Sequence, residues 1–327
     1  MQQEMRYIMT VYQEGSFSKA AKSLYMTQPA LSIAVKKVEN EIGMALFERS
    51  SQPLKLTEAG EIYIEKIREI RRLEEELERQ ICDLSELGSG TLRLGGSHYL
   101  NSYILPPVLT EFVRRYPKVR LELTEEGSNE LIKRMSEGAL DATFLCGPPG
   151  REEFRRYPAF EDRVLLAVPA GMTMGACLKD CSLSGEDVTA KRHMEPDYPA
   201  VDLSRFADTP FILLTPGNNL RERSLRLFEA AGIRPEVRME VEQLVTAYHL
   251  ARSGMGAAFI SDMLVKDGND GVRYYKIGSD LAVRKFDLVL PKKGYVPNAL
   301  RAFAGVLKEF YPAGEMTASA GNPLRKP

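Results

Sequence analysis

At 327 residues, with 44% hydrophobic and 27% charged residues, the chain suits two or three globular domains, each able to bury its own core. Forty-four Lys and Arg against 45 Asp and Glu leave a formal charge of −1, which excludes a nucleic-acid coat but not one local DNA-binding face. No apolar run approaches the eighteen or so residues of a membrane span, and the start, MQQEMRYIMT, has no basic region ahead of an apolar core, so a cytoplasmic protein without membrane contact is expected.

The first elements fall in EGSFSKAAKSLYMTQPALSIAVKKVENEIG. Phe17, Ala20, Ala21 and Leu24 recur on one helical face, with Ser16 as N-cap. After the break at Tyr25, Met26 and Thr27, Thr27 caps a second helix that accepts Pro29 in its first turn and stops at Gly43. Its predicted buried stripe is Leu31, Ala34, Val35, Val38 and Ile42. That leaves Gln28, Pro29, Ser32, Ile33 and Lys36 on the opposite face. Two short helices at this spacing, the first kept thin by its alanines, predict a helix-turn-helix. Gln28 and Ser32 lie near the end at which a recognition helix meets base edges. A solvated helix in an ordinary helical hairpin is the alternative, and charge does not decide it: residues 1–57 carry seven Lys and Arg against five Asp and Glu.

Taken together, EGSFSKAAKSLYMTQPALS, then VENEIG, ALFERS and LKLTEAG, resemble the N-terminal domain of the LysR-type transcriptional regulators. The resemblance implies a winged helix-turn-helix over 1–57. Ser16 and Ser18 would sit near phosphates, Gln28, Pro29 and Ser32 would face bases, and Arg49 to Leu54 would form a wing beside the minor groove. Two positions depart from the family. Ile33 stands where Arg is usual, exchanging a basic contact for an apolar side chain that suits a thymine methyl. Gln52 stands where the wing is often basic.

From Thr57, a predicted N-cap, to Leu87 runs one long helical pattern without proline. Ile70, Leu73, Leu77, Leu84 and Leu87 fit a heptad seam broken by Gln80, and Ile81 widens the stripe. Nothing nearby in sequence covers this face, so pairing with a second copy is expected; packing on its own domain is the alternative. The resemblance makes 58–90 a linker and dimerisation helix, with Gly88, Ser89 and Gly90 as its hinge. A two-fold dimer would offer two recognition helices to an interrupted palindrome in double-stranded DNA. The family often forms tetramers, and RNA polymerase becomes a partner if the protein activates transcription.

From Thr91 onward short apolar strands alternate with amphipathic helices, the pattern of α/β units. TLRLGGS reads as a strand ending at Gly95 and Gly96, before a helix from about Tyr99 to Tyr116. VRLELTEEGS repeats the arrangement with Ser128 as the cap, and DATFLCGPP is a third strand and loop. PFILLTPGNN feeds a helix near Leu220, VRMEVE feeds another that contains Val245, Thr246, Tyr248 and Leu250, and GAAFISD is a strand. Ligands sit beyond the carboxyl ends of such strands, where helix N-termini point free N–H groups. Ser97, His98, Ser128, Asn129, Thr215, Asn218 and Thr246 therefore form the candidate shell for a small polar effector. The helix dipoles favour an anion; Glu125 and Glu126 weigh against one.

LRLGGS, ILPPVLTEFVRRYP, LIKRMSEGALDATF, PFILL and ARSGMGAAFIS resemble the family's effector domain, which is built like a periplasmic solute-binding protein. That implies a domain over 91–312, with one subdomain from 91–162 and 268–312 and the other from 163–267. The tail 313–327 has little to bury and is expected to be mobile. The whole reads as an α+β multidomain chain: winged helix-turn-helix, linker helix, two-lobed α/β effector domain.

The stretch from Ala170 to Pro210 is longer and less apolar than the family's connection and carries CLKDC. Four cysteines, Cys82, Cys146, Cys177 and Cys181, are too scattered for a disulfide framework. Cys177, Cys181 and a distant His193 make a weak site, so no metal is expected. With no phosphate-binding loop, no HExxH, no nucleophile elbow and three histidines, no catalytic residues and no cofactor are expected. An enzyme and a solute-binding transport protein are the alternatives. The missing motifs count against the first, and the missing secretion signal and the N-terminal helix-turn-helix count against the second.

Overall fold

The computed structural model describes residues 2–48, 51, 53–85, 90–147, 154–172, 178, 180–266, 268, 271–292 and 294–312. Arg49, Gln52, Leu87, Cys177, the hinge residues Gly88 and Ser89 and the tail 313–327 lie outside the described residues, as does the side chain of Leu84. The chain forms two compact units, 1–81 and 82–327.

The first unit opens with three helices, α1 (Gln2–Glu14), α2 (Phe17–Ser23) and α3 (Gln28–Ile42). An antiparallel ribbon of β1 (Phe47–Glu48) and β2 (Lys55–Leu56) follows, with Phe47 opposite Leu56. The long α4 (Glu58–Ser85) closes the unit. Ile8, Val11, Ala20, Ala21, Leu31, Val35, Leu46 and Ile67 meet in one apolar core. Thr57 caps α4 as expected: its hydroxyl accepts the Gly60 N–H at 3.0 Å and donates to the Ala45 carbonyl at 2.6 Å. The first turn of α4 approaches the ribbon so closely that a Cβ on Gly60 would lie 2.1 Å from the Leu46 carbonyl oxygen.

One predicted core position is corrected. Ile42 is 41% exposed, and Glu39 is buried in its place. By its last turn the apolar stripe of α3 has run past the core. Glu39 instead accepts the Leu46 N–H at 2.9 Å, satisfying a peptide group that enters the ribbon without a strand partner.

In the second unit β3 (Gly90–Gly96) is followed by a π-helical turn (Leu100–Ile104) and α5 (Leu105–Arg115), then β4 (Val119–Glu125), α6 (Ser128–Ser136) and β5 (Ala142–Cys146). The helix predicted over Tyr99–Tyr116 is thus one helical run, from His98 to Arg115, with a π-helical turn inside it. Pro106 and Pro107 follow that turn directly and lack the N–H groups that would continue a regular ladder into it. Next come β6 (Phe154–Pro169), β7 (Ser182–Leu183), α7 (Gly185–Thr189), β8 (Pro210–Leu214), α8 (Asn219–Ala230), β9 (Glu236–Val241), α9 (Leu244–Arg252), β10 (Ala258–Ser261), β11 (Val272–Lys276), β12 (Val283–Pro291) and α10 (Asn298–Phe310).

The main sheet runs β4-β3-β5-β12-β6-β11-β7, with β10 also on β6, while β8 and β9 pair in parallel as a separate sheet. β6 is 16 residues long and serves two ladders. Its first half pairs with β12 and its second half with β10 and β11. This shifts one expected boundary. Within the 268–312 segment, β11 pairs with Leu165–Pro169, on the side of the second subdomain, and the return to the first begins with β12. Which strands pair is a long-range choice that local pattern does not encode. From Asp180 onward the 170–210 stretch is built into the fold, with Leu183, Val188, Val201, Leu203 and Phe206 buried in the main core.

Candidate DNA interface and effector cleft

In the first unit Ala20 and Ala21 are buried and keep α2 close to α3. Thr27 caps α3, its hydroxyl accepting the Ala30 N–H at 3.4 Å, and Gly43 ends it with φ at +78°. The start of α3 is bare: Thr27, Gln28 and Pro29 are exposed, Ser32 is half-buried, and Ile33 and Lys36 are open to solvent, Ile33 at 70%. These residues share one face, as expected. Neighbouring Lys37 lies 3.4 Å from Glu4 and 3.8 Å from Glu41, so Lys36 carries the positive charge of that face. Ser18 is exposed. Ser16 occupies the N-cap position of α2 in extended backbone but makes no capping bond. Along α4, Ile64 and Ile67 enter the core and Ile70 is half-buried, while Leu73, Leu77 and Ile81 are 57–58% exposed.

In the second unit a cleft of about 330 Å³ lies beyond the carboxyl ends of β3, β4, β8 and β9. Ser97, His98, Ser128, Thr215 and Asn218 line it, whereas Asn129 and Thr246, both exposed, do not. Ser128 is not the cap predicted for α6: Gly127 holds that position and Ser128 is the first helical residue. Asn218 does cap α8, accepting the Leu220 N–H at 2.9 Å. The N-caps of α6 and α9, Gly127 and Gln243, supply no side-chain cap, so the first-turn N–H groups of both helices stay open toward the cleft. His98 Nδ1 is 3.1 Å from Glu125, and Arg134 donates to Glu126 at 3.1 Å.

The cleft floor carries residues that the sequence reading missed. Arg284 and Phe286, both on β12, line it together with Tyr99 and Cys146. Arg284 forks onto Asp162, donating from Nε at 2.7 Å and from its second nitrogen to the other oxygen. Tyr99 and Ser261 also donate to Asp162, at 2.8 and 2.7 Å. The guanidinium lies 5.3 Å from the Tyr99 ring centre and 5.1 Å from that of Phe286. Burial opposes the charge on Arg284, but Asp162 outweighs it and holds the pKa above its ordinary value. Burial, then the neighbouring Asp162, drives the Tyr99 hydroxyl well above the usual phenol range. Burial likewise raises the Cys146 thiol against the pull of Arg284 and Arg223. Burial thus disfavours a thiolate at Cys146. Asp162 and Arg284 are 122 residues apart, and nothing in the sequence pairs them.

His193 is buried with Nε2 3.0 Å from Asp262, and Cys181 is half-buried against the core. Among the described residues no group of three or more potential metal-binding side chains comes together. Nor is any described helix long and apolar enough to cross a membrane.

A helix-turn-helix with an open second helix and a ribbon, in one chain with a ligand-sized cleft between α/β lobes, defines a ligand-responsive DNA-binding regulator. Two family descriptions match in tandem: "bacterial regulatory helix-turn-helix protein, lysR family" over residues 2–61 and "LysR substrate binding domain" over 85–312. The HTH-type transcriptional regulator YcgK of Bacillus subtilis is 31% identical over 305 residues, 93% of each chain. Among solved structures, a full-length OxyR variant from Pseudomonas aeruginosa is similar with a TM-score of 0.64 at 22% identity, covering 93% of each chain. CbnR complexed with its target DNA is similar with a TM-score of 0.62 at 19% identity, covering 94% of this chain and 98% of the other. The chain belongs to the LysR family of transcriptional regulators, with an N-terminal DNA-binding domain and a C-terminal effector-binding domain.

Proposed function

We propose that residues 1–57 read an interrupted palindrome through the open face of α3, and that 58–90 pair two copies of the chain. Gln28, Pro29 and Ser32 meet base edges, Ile33 covers a thymine methyl, and Ser16, Ser18, Lys36 and the wing hold the phosphate backbone. The observation that carries this reading is the bare first turn of a helix otherwise well anchored in its core. The solved complex of CbnR with its target DNA supports it. Leu73, Leu77 and Ile81, with Ile70 and Leu84, form the seam between copies in a homodimer or a tetramer of two dimers.

The effector is a small anionic molecule held in the 330 Å³ cleft. Support comes from the uncapped first turns of α6 and α9 and from the hydroxyls of Ser97, Ser128 and Thr215. Glu125 and Glu126 weaken the case less than their charge suggests, because His98 and Arg134 stand beside them. The protein acts in the cytoplasm and has no enzymatic activity of its own. Fluorescence anisotropy with the DNA upstream of its own gene tests the first part. Gln28→Ala or Ser32→Ala should weaken specific binding by about 1–3 kcal/mol each and spare a random duplex; equal loss on both duplexes refutes base reading. A thermal-shift screen of organic anions and neutral metabolites tests the second.

A further inference from the structure

The turn between α2 and α3 carries a residue that the fold does not account for. Tyr25 has φ at +53°, one of two non-glycine residues with positive φ among those described. Left-handed backbone suits Gly or Asn; for a bulky side chain it is strained. The backbone needs that conformation, because the turn closes α2 with paired bonds, Tyr25 N–H to the Lys22 carbonyl at 3.1 Å and Met26 N–H to the Ala21 carbonyl at 3.0 Å. This is the helix ending at which Gly is preferred. Yet the position holds a tyrosine that is 98% exposed, the most exposed large hydrophobic residue among those described. Its ring is left in solvent by the described residues, while its neighbours Leu24 and Met26 pack against the core. The side chain thus contributes nothing to folding that would offset its strain.

Its place gives it a partner. Tyr25 is two residues before the cap of α3 and three before Gln28, within roughly 11 Å of it along the chain. Like Thr27, Gln28 and Pro29, it is exposed. When a recognition helix enters the major groove by its N-terminus, the preceding turn passes over the groove edge, where the phosphates lie. Tyrosine hydroxyls are among the groups that bind those oxygens. We infer that Tyr25 is a DNA-contacting residue, its hydroxyl donating to a backbone phosphate beside the half-site.

The test uses the full chain and two duplexes of equal length, the DNA directly upstream of its own gene and a random sequence. Tyr25→Phe removes only the hydroxyl; Tyr25→Asn removes the ring and keeps a residue that tolerates positive φ. Both should raise Kd on both duplexes by about 2–10-fold, the worth of a neutral hydrogen bond. The salt dependence should stay unchanged, because no charge is lost. Thermal unfolding should show Tyr25→Asn at least as stable as the wild type, so that weaker binding is not weaker folding. Wild-type affinity in Tyr25→Asn overturns the contact. Wild-type affinity in Tyr25→Phe with loss in Tyr25→Asn overturns the phosphate assignment in favour of the ring. Failure of the wild type to prefer the upstream duplex counts against the chosen operator instead, and the random-duplex arm still decides the contact.

Discussion

Replacing Arg284 by Met would remove the positive charge beneath the cleft while keeping its volume and apolar stem. Asp162, 2% exposed, would keep the Tyr99 and Ser261 hydroxyls as donors but lose its bidentate partner and the adjacent charge. Stripping one member from a buried ion pair costs about 3–5 kcal/mol, and two retained hydroxyl bonds favour the lower end, about 3 kcal/mol. In a unit of this size 1 kcal/mol moves Tm by about 2–4 °C, so the effector-domain transition should fall by roughly 6–12 °C. Because the chain has no Trp, calorimetry or circular dichroism is the suitable readout. The double variant Asp162→Asn with Arg284→Met leaves no charge at this buried pair and should recover much of the loss, a coupling of about 2 kcal/mol. A single variant within 2 °C of the wild type would refute the reasoning, since the carboxylate would then have found a proton or water.

Gly60→Ala should destabilise the first unit by more than 2 kcal/mol, because its Cβ would meet a backbone oxygen at 2.1 Å that no side-chain rotation can move; urea unfolding measures this. Leu77→Asp should yield monomers in sedimentation that are still folded by circular dichroism, because Leu77 is 58% exposed within its own chain; a dimeric variant would move the seam elsewhere. Hydrogen bonds from Arg114 and Arg115 hold the Glu111 carboxyl down to about 2, against an ordinary 4.5. A depressed carboxyl stabilises above its unfolded pKa, and the gain is lost as pH falls from about 4.5 toward 2. Because solvent screens these surface pairs, Glu111→Gln should make the loss over that window only slightly shallower, and an unchanged acid limb in a pH series of thermal melts would exclude this group.

The DNA-binding half was legible because its signals are local. Thr27, Pro29 and Gly43 bound one helix, Ala20 and Ala21 mark the thin contact, and apolar spacing orients both helices. The reading failed at Ile42 and Glu39, where a tertiary requirement, the unpaired Leu46 N–H, overrode periodicity. In the effector half the strand ends were legible, and five of the seven proposed shell residues line the cleft. The floor was not. Arg284 looks like an ordinary charge on an alternating strand, and only the pairing of β12 with β6 brings it to Asp162. Tyr25 read as a mere break between helices, because φ and exposure are invisible in a sequence.

The shared strand β6 bears on how such proteins diversify by recombination. Residues 1–81 are contiguous, so one crossover can transplant the first unit whole onto another sensor. The two lobes cannot be exchanged that way. Their segments interleave along the gene, and β6 is hydrogen-bonded into both ladders, so a junction within it would leave half a strand facing unfamiliar neighbours. If the cleft holds the effector as proposed, a new effector preference is more simply reached by point substitution in the loops after β3, β4, β8 and β9, while the first unit can travel as a cassette.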